Sequence, residues 1–235
     1  MKGVDPIKSL RMADRRVPVV VRRNARARRI SIRVDTANDS IVLTLPTRGS
    51  LREGLRFMAE KSTWIERRVA DLPPRVPFEA GAVVPVHGRD RVVRHGSVHG
   101  RVVELSAEVL RVPGPPLKLP DRLEGWLREE ARKAVGRLAR DMAARIHRPI
   151  RRISVRDTRS RWGSCSANGN LSFCWRLVLA PPSVLRYVVA HEVAHLAEMN
   201  HGPRFWRLVR FLVGEDIDTP QEWLRRHGPA LHRYG

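Results

Sequence analysis

Two cysteines in 235 residues, Cys165 and Cys174, cannot build a disulfide framework, and nothing in the chain calls for an oxidising compartment. Long apolar runs are missing too. Near the N-terminus the longest, residues 17–21, is broken by Pro18. That pattern argues against a secretory leader and a membrane span, so the expected location is the cytoplasm, with no membrane partner. No internal repeat or low-complexity segment stands out. Acidic residues are scarce: 24 Asp and Glu stand against 45 Lys and Arg, a formal charge of +21.

The excess is nearly all arginine, and it is concentrated. Between Arg140 and Arg161 eight arginines (140, 145, 148, 151, 152, 156, 159 and 161) face only Asp141 and Asp157, a net of 8 − 2 = +6. Guanidinium forks suit phosphates and carboxylates, so nucleic acid or an acidic protein is a candidate partner. A solvated charged face is the plainer alternative.

Read for periodicity, residues 17–21, 30–34 and 41–45 are expected strands, with Asn38-Asp39 a turn between the last two. Residues 51–72 have the pattern of one amphipathic helix ended by Pro73-Pro74. Four short stretches, 83–86, 91–94, 101–105 and 109–112, suggest a meander. His87, His95 and His99 sit among them without ligand spacing and are expected at the surface. Pro113-Gly114-Pro115-Pro116 is the best linker candidate. Beyond it, residues 121–146 form a long helix presenting Leu123, Leu127, Ala131, Ala134, Leu138 and Met142 inward. Strands at 150–155 and 171–177 precede further helices, including 203–213 and 219–231, the last capped by Thr219 with Pro220 at its first position. The expected division is a loose leader at 1–16, a β-rich lobe at 17–116 and an α+β lobe at 117–235.

The chemistry is concentrated at His191-Glu192-Val193-Ala194-His195, followed six residues later by His201. Residues four apart share a helix face, so His191 and His195 can hold one metal ion together. Glu192, one step round the helix, can take a proton from a water on that ion. Pro181-Pro182-Ser183 opens this helix, with Ser183 the expected N-cap, and Met199-Asn200-His201-Gly202-Pro203 stops it. A stop is required, because a continued helix would carry His201 about 9 Å past His195 along the axis. Three imidazoles leave a fourth position open, as catalytic zinc sites do; Cys165 or Cys174 would instead close it into a structural site. Glu215 or Glu222 is an alternative third ligand.

Upstream stand Arg159-Ser160-Arg161-Trp162-Gly163-Ser164-Cys165-Ser166, then Gly169-Asn170-Leu171-Ser172-Phe173 and Arg176-Leu177. Together with residues 191–206, HEVAHLAEMNHGPRFW, they closely resemble the YgjP-like metallopeptidase family and, more distantly, the SprT-like proteases. Arg26-Ala27-Arg28-Arg29 before a strand and Lys61-Ser62-Thr63-Trp64-Ile65 in a helix are similar to that family's opening, so the resemblance runs over about residues 17–232. It implies a zinc-dependent peptidase with one zinc ion held by His191, His195 and His201 and with Glu192 as catalytic base. Metzincin proteases share the histidine spacing but place Gly where this chain has Glu198. The fold expected is α+β: a β-rich N-terminal lobe, then a zincin-like catalytic lobe with the HExxH helix packed on a small sheet.

The reaction expected is hydrolysis of peptide bonds in a protein or peptide substrate. The strand ending near Trp175 is a candidate to hold that substrate by edge pairing. Candidates for oxyanion stabilisation are Arg161, Tyr187 and Asn200; Trp162 and Trp206 are expected in the core, Cys165 as a packed thiol, and Glu198 as a support for a ligand imidazole. Two rival classes stay open: a nucleic-acid-associated protein with a structural zinc site, and a metallohydrolase acting on a non-peptide bond.

Overall fold

The computed structural model describes residues 5–11, 16–36, 38–214 and 216–235. The fold is α+β, with six helices and three small sheets among the described residues, in two compact units that divide at Pro74/Arg75.

The first unit begins with β1 (Asp5–Arg11), β2 (Arg16–Arg23), β3 (Ser31–Asp35) and β4 (Ser40–Leu45). They form one sheet in the order β1-β2-β4-β3, with β2 and β4 parallel and the outer pairs antiparallel. Part of the expected loose leader is therefore a strand: β1 pairs along β2, while residues 1–4 and 12–15 lie outside the described residues. Two-residue alternation puts Val17, Val19 and Val21 on one face with Ile41, Leu43 and Leu45. That face is closed by α1 (Leu51–Glu60) and α2 (Ser62–Ala70), through Met58, Ile65 and Val69. Residues 51–72, expected as one helix, break at Lys61, yet Ile65 N–H still reaches the Lys61 carbonyl at 2.9 Å. Ser50 caps α1 by accepting from Glu53 N–H.

The second unit starts with β5 (Val83–Val86), β6 (Arg89–His95), β7 (Glu104–Leu105) and β8 (Val109–Val112). Their order is β5-β6-β8-β7 with β6 and β8 parallel, so they are not the meander that was expected. Next come α3 (Leu119–Arg145), β9 (Arg152–Arg156), β10 (Gly163–Cys165) and β11 (Asn170–Cys174). A 3-10 turn at Trp175–Leu179 leads to α4 (Pro182–Ala194), α5 (Pro203–Val213) and α6 (Asp218–Leu231).

The 27-residue α3 joins two cores. Its first half (Leu119, Leu123, Leu127, Ala131) packs with Val84, Val86, Val93, Leu110 and Val112 of the four-stranded sheet. Its second half (Val135, Ala139, Met142) packs with Leu171, Phe173 and the apolar flank of α4. This shared helix is why residues 75–116, grouped with the N-terminal lobe on sequence alone, fall in the same unit as 117–235. The Pro-Gly-Pro-Pro stretch is a tied-down turn: Gly114, at φ 101°, donates to the Ser97 carbonyl at 2.9 Å, and Arg122 reaches the Pro113 carbonyl. His95 contacts the Gly114 carbonyl and His87 is half-buried, leaving only His99 of the three exposed.

Trp175 is fully buried against Phe78 with the Arg128 and Arg176 guanidinium groups over its ring. Arg176 also pairs with Asp157 and donates to the Tyr234 carbonyl, tying the C-terminal residues to the sheet. Among the described residues no helix is long and apolar enough to cross a membrane.

Candidate metal centre

Helix α4 is buried on almost every side, by Val184, Leu185, Val188, Val189 and Val193 among others. Pro182 stands at its start, where a missing N–H costs nothing; Pro181 holds the N-cap position that Ser183 was expected to take. The helix ends at Ala194, one turn before the expected stop, with His195 as its C-cap. Leu196 and Ala197 N–H then close back on the Val193 and Ala194 carbonyls at 3.0 Å. This early turn, and a bend through Asn200 to Pro203, returns the chain so that His201 faces α4.

The result is convergence. The ligand nitrogens of His191, His195 and His201 all lie within 4.8 Å of one another. His201 Nε2 and His191 Nε2 are 3.1 Å apart. Two nitrogens bound at ~2.0–2.1 Å and at a tetrahedral angle stand about 3.3 Å apart, so this spacing suits one shared ion. His195 Nδ1 is 3.0 Å from the Glu198 carbonyl; donating there leaves Nε2 with its lone pair free for a metal. The support expected from Glu198 thus comes from its backbone. Burial, and then repulsion from its two neighbours, pushes His191 down to about 4, and burial lowers His195 as well. Neutral imidazoles are the state a metal needs.

Phe205, on α5, organises the cluster from below. Fully buried, it stands 4.9 Å from the His191 ring and 4.6 Å from those of His195 and His201. Trp206 is 5.9 Å from His191 and 6.0 Å from His201. Both Trp162 and Trp206 pack against the core as expected. Sequence reading passed over Phe205, although its place two residues into the helix after the His201 turn was a signal that it would face back toward α4. The C-terminus of α5 is held by Arg186 and Arg145, which donate to the Leu212 carbonyl at 2.9 and 3.1 Å.

Glu192 is only 7% exposed. Burial pushes its carboxyl up to about 7, against the opposing pull of the Arg161 charge and a hydrogen bond from the Cys165 backbone N–H. Strand β10, absent from the sequence reading, brings the backbone against this side chain. A Cβ on Gly163 would stand 2.5 Å from Glu192 Cγ and 2.6 Å from Oε1, so only glycine permits the approach.

β11 is the central strand of the order β10-β11-β9, with both edges paired, and so cannot take a further strand as expected. The edge strand beside Glu192 is β10. Of the oxyanion candidates, Arg161 is exposed within electrostatic reach of Glu192, Tyr187 is buried 6.1 Å from the His191 ring, and Asn200 is exposed in the turn. Among the described residues no cysteine or carboxylate joins the three imidazoles. Burial and the Glu192 charge raise the Cys165 thiol to about 11. Glu222 is taken up by Arg225 and Arg226, and Glu215 lies outside the described residues.

No curated protein and no solved structure matches the chain. The YgjP-like metallopeptidase domain matches residues 28–227, which span the whole site and most of both units. A histidine cluster of metal-binding dimensions inside that match is what a metal-dependent peptidase requires, and the chain belongs to the YgjP-like metallopeptidase family.

Proposed function

We propose that the protein hydrolyses peptide bonds with one zinc ion held by His191, His195 and His201. The observation that carries this reading is the meeting of three imidazoles, two of them kept neutral by burial, with a buried carboxyl one residue from the first of them. Three nitrogen donors suit zinc and leave one position for water. When bound, zinc lowers the pKa of that water toward ~7 and polarises a carbonyl.

The chain's own residues supply the rest. Glu192 takes the proton of the attacking water and passes it to the leaving amine. A carboxyl poised near neutrality suits both halves of that transfer. The backbone N–H of Cys165 and the Arg161 charge hold the carboxylate in place and favour its ionised form. An extended substrate pairs with the free edge of β10, which sets its backbone beside Glu192. The site needs no membrane, and its expected setting is the cytoplasm.

The test is digestion of casein by the zinc-loaded protein, with and without a chelator, beside the Glu192→Gln variant. Cleavage should stop on chelation and return with zinc, and the variant should bind zinc without cutting. Failure to cut, or cleavage indifferent to the chelator or to Glu192→Gln, would overturn the proposal.

A further inference from the structure

The outer face of the site's sheet meets that chemistry at Arg161 and Cys165 and extends well beyond it. Leu171 and Phe173 of β11 point into the core with α4, so their alternating neighbours Asn170 and Ser172 face the other way. On that outer face lies an open groove of about 440 Å³. The strand register sets Ser154, Ser172 and Ser164 side by side across its floor. Arg152 and Arg156 flank Ser154 along β9, and Arg161 closes one end.

All three arginines are exposed; the Arg161 charge acts on Glu192, while among the described residues neither Arg152 nor Arg156 has an ion-pair partner. No carboxylate lines the groove; Asp157, next to Arg156 in sequence, is engaged by Arg176 and Arg128. Like charges along a groove whose lining holds no carboxylate repel one another, and a bound anion relieves that repulsion. Arg152 and Arg156, four residues apart on one strand, have Cα atoms ~13 Å apart, so they can hold separate anions along the groove. The fit is therefore to a chain of repeated anions. The serine hydroxyls of the floor suit phosphate oxygens. The lining has no aromatic ring on which a base could stack, so bases would not be read. A recess of this size admits one strand, not a duplex.

We propose that this groove binds the phosphate backbone of single-stranded nucleic acid without sequence preference. The inference stands apart from the peptidase reading, since binding requires neither metal nor turnover.

The experiment measures anisotropy of a fluorescent oligo-dT of about 16 nucleotides as salt is raised, with the full-length protein. Each lost phosphate contact lowers the salt slope by about 0.7 on a single strand, so Arg152→Gln/Arg156→Gln should lower it by about 1.4. Between 50 and 200 mM salt the parent should then lose roughly sevenfold more affinity than the variant. Arg67→Gln/Arg68→Gln removes the same charge from exposed positions on α2 and should leave the slope unchanged. Thermal melting and zinc binding, equal across the set, would establish that the variants fold. An unchanged slope in the groove variant, an equal fall in the α2 variant, or equal competition by polyglutamate would overturn the proposal.

Discussion

Replacing Glu192 by Gln should stabilise the metal-free protein, and the size of the gain should follow pH. Burial lifts the carboxyl from 4.5 to about 7. That rise corresponds to roughly 3 kcal/mol between the two protonation states. The folded state holds its proton more tightly than the unfolded chain. The contribution is therefore intact below pH 4.5 and lost as pH rises through about 7. Gln carries no charge and escapes the loss, while its carbonyl can still accept the Cys165 N–H. The imidazole of His191, pushed down to about 4, brings an opposite dependence, but it is common to both proteins and cancels in their difference. Urea unfolding with chelator present, followed by tryptophan fluorescence, should show the two proteins alike at pH 4.5 and the variant ahead by about 3 kcal/mol at pH 8. In a melt this amounts to roughly 6–12 °C. Equal stability at pH 8, or the same gap at both pH values, would refute the claim that a desolvated carboxylate sits beside the histidines.

Three other outcomes are expected. Phe205→Ala removes the ring under all three imidazoles and should cost ~3–5 kcal/mol of stability; a variant that folds yet binds zinc as tightly as the parent would show that Phe205 does not position them. Gly163→Ala drives a methyl group into Glu192, so peptidase turnover should collapse while zinc binding measured by dialysis persists; unchanged turnover would mean that the β10 approach is dispensable. At about 11 against an ordinary 9.0, the Cys165 thiol should react with iodoacetamide at neutral pH ~100-fold more slowly than a free cysteine, read by mass spectrometry of the labelled peptide.

The failures of sequence reading have physical causes. β10 is three residues long, Gly-Ser-Cys, with neither apolar alternation nor β-branched residues; it is a strand only because β11 offers an unpaired edge. The partner of a strand is likewise invisible in periodicity, which is why β11 could be taken for an edge. Alternation over 83–112 announced strands, but nothing local says that β6 and β8 run parallel. The linker-like Pro-Gly-Pro-Pro stretch is pinned by Ser97, His95 and Arg122, contacts made across distance in the chain.

What the chain determined by itself was the local chemistry: helix periodicity placed His191 and His195 on one face, the Asn-His-Gly-Pro segment demanded a turn, and Glu192 lay beside the first ligand candidate. Tertiary structure alone decided that His201 meets them, that Phe205 lies beneath all three rings, and that β10 presses on Glu192 through a glycine. The reason is one of range. Spacing sets which side chains share a helix face, whereas burial, strand neighbours and charge shifts depend on residues brought close only by packing.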